Sequence, residues 1–136
     1  MWIEPVTFVS TDYYNFGDLN RVNNNIQYIY DELIALGYTI TLLETVVTNY
    51  TRTDFPTVTN VNKAKSNILA IIDGFYPVDA PVIVVNTDEV QEFDYVEANK
   101  LELNLQALYD FLQNLLLSLR YSGTFYSGDN AIVIYT

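Results

Sequence analysis

The sequence predicts a mainly α-helical chain, a three-helix bundle followed by a small C-terminal β-hairpin. Three observations carry this expectation. One helix-start motif recurs three times, at offsets of 42 and 37 residues. After each copy the apolar residues step by three and four, which keeps them on one face of a helix. Beyond residue 120 the composition changes to β-favouring residues around a turn signal. The 136 residues, half of them hydrophobic, suit one buried core.

The three copies are NFGDLNRV from Asn15, TVTNVNKA from Thr57 and DYVEANKL from Asp94. Asn15, Thr57 and Asp94 are suitable N-cap residues, each with a side-chain oxygen for an orphan backbone N–H. Three positions on stand Asp18, Asn60 and Glu97. Asp94 with Glu97 approaches a capping box, and Asn15 with Asp18 is a weaker variant. Tyr14, Pro56 and Phe93 precede the caps, placed to pack on Leu19, Val61 and Ala98 as hydrophobic staples.

The first apolar stripe is Leu19, Val22, Ile26, Ile29 and Leu33. The second is Val61, Ala64, Ile68, Ile71 and Phe75. The third is Ala98, Leu101, Leu105, Leu108, Leu112, Leu115 and Leu119. Three such faces need a common core, as a bundle provides. The first helix is expected to stop near Leu36-Gly37, the second near Asp73-Gly74, and the third near Arg120. Residues 38–50 read either as β or extended structure or as a short helix through Leu42, Leu43 and Glu44. Residues 81–85 read as a short strand.

Within each copy the polar positions repeat as well: Asn20, Arg21 and Asn25; Asn62, Lys63 and Asn67; Asn99, Lys100 and Asn104. Arg21, Lys63 and Lys100 stand three residues after Asp18, Asn60 and Glu97 and four before Asn25, Asn67 and Asn104. That spacing puts all of them on one helix side. They read as surface bracing of the first two turns or as a shared docking edge. Asn25, Asn67 and Asn104 flank the apolar stripe, where an asparagine often bonds a neighbouring loop.

Residues 1–120 therefore form the expected helical repeat domain, and residues 121–136 a β segment packed on it or on a partner. Residues 121–126 and 131–135 are its strands, with Ser127-Gly128-Asp129-Asn130 as the turn. Tyr121, Phe125, Tyr126, Ile132, Ile134 and Tyr135 are its interface candidates. A hairpin is marginal alone, and this one has no charge or proline guarding residues 131–135.

Composition removes several function classes. The net charge is -11, from 17 acids against 6 Lys and Arg, so there is no basic footprint for nucleic acid or an anionic membrane. The chain has neither cysteine nor histidine. No disulfide framework, Ser-His or Cys-His nucleophile, or His-ligated zinc site can be built. Five scattered glycines make no phosphate loop. The acidic group Asp88, Glu89, Glu92, Asp94, Glu97 and Glu102 lacks the order of a calcium loop, and helix-start charge accounts for it. We expect no enzyme, no metal and no cofactor. The opening Met1-Trp2-Ile3-Glu4-Pro5 lacks the layout of a signal peptide, and no apolar run is long enough to span a bilayer. Only 17% of residues are charged, with Asn and Thr filling polar positions, as on a surface made for contact with protein.

Four stretches carry a resemblance. Residues 10–29, STDYYNFGDLNRVNNNIQYI, resemble the first helix of small structural proteins encoded in tail and baseplate gene modules of phages and prophages of Gram-positive bacteria. The Trp2-Ile3-Glu4-Pro5 start, residues 51–71 (TRTDFPTVTNVNKAKSNILAI) and residues 120–129 (RYSGTFYSGD) are similar to the same family. Many relatives carry a longer insert between the Pro-Val-Thr start and the first helix; here Pro5-Val6-Thr7 leads almost directly to Asp12-Tyr13-Tyr14. The resemblance implies a non-enzymatic tail-tip or baseplate component, made in the host cytoplasm and then held in the virion. It implies other tail proteins as partners, a homo-oligomer or several copies in the assembly, and neither nucleic acid nor membrane. It transfers no catalytic or binding residues. The alternative is a binding module for host-surface carbohydrate, through Tyr121, Phe125, Tyr126 and Tyr135, or for another virion protein.

Overall fold

The computed structural model describes residues 1–53, 57–75 and 94–122, the last three by backbone alone. Among the described residues it contains three helices and no strand: α1 (Phe16–Ala35), α2 (Val58–Phe75) and α3 (Tyr95–Ser122). Each begins one residue after the expected cap. Asn15 Oδ1 accepts from the N–H groups of Gly17 and Asp18 at 2.8 and 3.2 Å, while Asp18 Oδ2 accepts from the Asn15 N–H at 2.9 Å. This is the complete reciprocal box. Thr57 Oγ1 accepts from Asn60 N–H at 3.1 Å, and Asp94 Oδ1 from Val96 and Glu97 N–H at 3.0 and 3.1 Å. The sequence ranked Asp94 with Glu97 as the better box. In the fold the Glu97 carboxylate turns forward to Lys100 Nζ at 3.0 Å.

The ends of the helices differ partly from expectation. α1 closes as the sequence predicts. Gly37 sits at φ +99°, its N–H reaches the Ile34 carbonyl, and the Tyr38 N–H reaches the Leu33 carbonyl, both at 3.0 Å. That pair of bonds is the Schellman arrangement, and its left-handed residue favours glycine. α2 ends at Phe75, within a residue of the expected Asp73-Gly74, and Gly74 lies inside its last turn. The missing side chain of Gly74 serves packing, because a Cβ there would meet Ile40 Cγ1 at 3.0 Å. α3 runs through Ser122, so Tyr121 is helical rather than the first residue of a strand. Residues 38–50 are neither strand nor helix. Residues 81–85 and the hairpin from 123 onward lie outside the described residues.

The helices run parallel, with their starts at one end. Arg21 bonds Glu102, and further along both helices Tyr28 meets Tyr109 with ring centroids 6.0 Å apart, so α1 and α3 share direction. Tyr38, just past α1, meets Phe75 at the end of α2, and Phe75 meets Phe111 of α3, both edge-on at 5.2 Å. Residues 38–50 therefore run back along the bundle from the end of α1 toward its start, bonding Asn67, Asn23 and Asn20 in turn. All of the first two predicted stripes are buried, as is the third from Ala98 to Leu112, with Leu115 packed on the cluster at its edge. Burial of these faces, rather than local propensity, holds parallel helices side by side, since aligned helix dipoles contribute nothing favourable. None of the described helices is long and apolar enough to cross a membrane.

Candidate functional site

Six polar side chains are buried among the described residues: Asn23, Asn25, Lys65, Asn67, Glu102 and Asn104. They fall on only two positions of the repeat, eight and ten residues after each cap. A buried polar group needs partners, and what these positions bond shows what the repeat is for.

Asn25 lies on α1 with no exposure. Its Oδ1 accepts from the Ile3 N–H at 2.9 Å, and its Nδ2 donates to the Ile3 carbonyl at 2.8 Å. Asn67 on α2 holds Glu44 in the same way, at 2.9 and 3.1 Å. The earlier asparagine of the motif repeats the arrangement. Asn20 holds Tyr50 at 2.8 and 2.9 Å, and Asn99 holds Phe8 at 2.7 and 2.9 Å. Each primary amide thus supplies one acceptor and one donor to both backbone groups of a single residue, as a neighbouring strand would. Asp lacks the donor and Leu both groups, so this pairing requires an amide. The two bonds also fix the orientation of each amide.

These clips hold two straps against the bundle. The N-terminal strap is clipped at Ile3 by α1 and at Phe8 by α3, and so bridges those helices. The strap after α1 is clipped at Glu44 by α2 and at Tyr50 by α1, with Asn23 Nδ2 on the Val47 carbonyl at 2.8 Å between them. In both straps the later asparagine of the following helix acts first along the chain, and the earlier asparagine of another helix acts second. Trp2 anchors the first strap, stacked on Tyr109 with centroids 4.1 Å apart and planes at 10°. Asn104 differs, donating to the Lys100 carbonyl of its own helix at 2.8 Å. Asn62, the α2 counterpart of Asn20 and Asn99, is half-buried.

The basic positions of the motif diverge. Lys63 is exposed, and Lys100 braces the first turn of α3 through Glu97. Arg21 braces Asp18 at 3.0 Å but also crosses to α3, where Nε (3.0 Å) and Nη2 both bond Glu102 Oε2. Its guanidinium carbon stands 5.9 Å from the centre of the Phe8 ring, a cation–π contact to the clipped strap residue. Burial works against charge on Arg21, yet its bonds to Glu102 and Asp18 leave its pKa raised. Burial pushes the Glu102 carboxyl up, with Arg21 opposing and Asp18 adding. Burial likewise pushes up the Tyr14 hydroxyl, and the charges of Glu102 and Asp18 add to it. Glu102 is thus not part of a helix-start acidic group but a buried inter-helix partner.

Of the predicted interface candidates, Tyr121 lies in the last turn of α3, and Phe125, Tyr126, Ile132, Ile134 and Tyr135 lie outside the described residues. Sequence reasoning missed Glu102, Asn23 and the anchoring role of Trp2. The signal for the first two was present, since repeat position eight carries a polar residue in every copy: Asn23, Lys65 and Glu102. No known protein family, characterised protein or solved structure matches this chain.

Proposed function

We propose that this protein is a non-enzymatic structural component of a phage tail, at the tail tip or baseplate, where it connects or supports neighbouring tail proteins in several copies. The observation that carries the non-enzymatic half is the use of the repeat's polar residues. Asn20, Asn25, Asn67 and Asn99 have both amide groups bonded to backbone, so these four serve a rigid scaffold rather than a reacting ligand. The resemblance over residues 10–29, 51–71 and 120–129 carries the location. An acidic, amide-rich surface of low charge density fits contact with other proteins.

The test is the composition of purified virions. Quantitative mass spectrometry of particles banded in a density gradient should find this chain at a fixed, multiple copy number, and antibody labelling should place it at the distal tail. Absence from particles that contain the other tail proteins refutes the reading.

A further inference from the structure

A groove of about 580 Å³ opens between the strap that follows α1 and the last turns of α2, with Ile40 and Leu43 on one side and Leu69, Ile72, Asp73 and Gly74 on the other. Leu43 is 68% exposed. The repeat changes at this place. Twelve residues after the cap, copies one and three carry Gln27 and Gln106, whose Nε2 atoms donate to Asp31 and Asp110 at 2.8 and 2.9 Å. Copy two carries Leu69 instead, which gives the groove an apolar wall and leaves Asp73 without the glutamine of its counterparts. The charge nearby is one-sided. The contacts of Tyr38 with Phe75 and of Phe75 with Phe111 put Asp31, Glu32, Asp73 and Asp110 at one end of the bundle. The negative poles of α1 and α2 lie at the same end, so each acid there works against its own helix and the fold gains nothing from it. Of the six Lys and Arg residues, Arg21, Arg52, Lys63, Lys65 and Lys100 stand in the helix-start half, and Arg120 lies in the last turn of α3, well past Asp110.

We propose that this groove docks a basic, apolar segment of another protein, which seats an apolar side chain in it and lays lysine or arginine over the acidic end of the bundle. The apolar walls reward burial of that side chain. The acids attract the cation without a fixed contact, because charges within a Debye length of about 8–10 Å still interact. Charge also decides between occupants. Residues 54–56, 76–93 and 123–136 contain acids but no lysine or arginine, so none of these segments supplies the cation. A second copy carries the same net charge of -11 and is repelled, whereas a basic partner is drawn in. The inference deepens the tail reading by naming a face and the chemistry of the protein that covers it. Its test uses the isolated chain, so the two readings fail separately.

The experiment is an NMR titration of the full chain with three capped peptides, Lys-Leu-Phe-Lys, Glu-Leu-Phe-Glu and Lys-Ser-Ser-Lys. It is followed at the methyl groups of Leu43, Leu69 and Ile72 and at the Gly74 backbone amide. Lys-Leu-Phe-Lys should give saturable shifts confined to this groove, with an affinity that falls as salt is raised. The other two should each bind at least about tenfold more weakly, one for want of charge match and the other for want of apolar burial. Asp73→Asn should weaken the first peptide about two- to fivefold, as loss of one exposed ion pair does. Leu43→Ser, a change at an exposed position, should weaken it at least about fivefold. Absence of saturable shifts at these groups, equal binding of either control peptide, or unchanged affinity in both folded variants overturns the proposal. Concentration-dependent shifts at the same groups in the peptide-free chain, with a doubled mass by light scattering, assign the groove to a second copy and overturn it as well.

Discussion

If the asparagines are clips, removing one should release its strap before it unfolds the bundle. Asn25→Ala is the sharpest case, because the clipped residue, Ile3, adjoins the chain's single tryptophan. The change deletes two hydrogen bonds, each with a net contribution of about 0.5–1.5 kcal/mol. The expected loss is therefore roughly 1–3 kcal/mol, toward the lower part because Ile3 is 44% exposed and its freed groups can reach water. Asn25→Asp should cost more. It keeps an acceptor for the Ile3 N–H but sets a buried carboxylate against the Ile3 carbonyl. Urea unfolding followed by Trp2 fluorescence and by far-ultraviolet circular dichroism separates the events. Wild type should give coincident transitions. Asn25→Ala should shift the fluorescence transition to lower urea than the helical one, as Trp2 leaves Tyr109 while α1, α2 and α3 persist. Coincident transitions in the variant, with a loss below about 0.5 kcal/mol, would show that Trp2 stacking alone holds the strap.

Three further outcomes follow from the buried groups. Arg21→Met should cost about 3–5 kcal/mol because it strands Glu102 without a counter-charge, whereas Arg21→Met with Glu102→Leu should recover most of that loss; urea midpoints decide, and a double variant as unstable as the single refutes the pairing argument. Burial raises the folded-state pKa of Glu102, so its contribution to stability is fully present below the unfolded value of 4.5 and is lost as pH rises through the folded one. The stability difference between wild type and Glu102→Gln should therefore move in favour of wild type between neutral pH and about pH 4, and a shift the other way would place Arg21, not burial, in control. Leu105→Ala, at a position with no exposure, should cost about 2–5 kcal/mol, while Leu103→Ala two residues away should stay within about 0.5 kcal/mol by thermal unfolding.

The parts of this fold that depend on neighbours within a few residues were legible in the sequence. Caps, stripes and the Gly37 closure each need only spacing along one helix, and the stripes match the buried core from Leu19 to Leu112. What spacing could not supply is the third dimension. The end of α2 beside Gly74 was visible, but the packing role of that glycine was not, because it depends on Ile40, 34 positions earlier. Residues 38–50 looked like a strand or a short helix because nothing local marks a chain whose backbone partners are side chains of Asn20, Asn23 and Asn67. Arg21 shows the limit most clearly. Its local partner Asp18 is visible at three residues, but Glu102 lies 81 positions away and is reached only because α3 runs parallel to α1. The repeat nevertheless carried a usable clue. Positions eight and ten after each cap are polar in all three copies, on helix flanks otherwise lined with core residues. A polar residue kept there three times within one chain is hard to explain by solvent exposure, since a solvated flank would tolerate any polar or charged side chain and gain nothing from asparagine at position ten. Recurrent asparagine at a core boundary therefore points to backbone held by side chains, and in this protein it locates both straps.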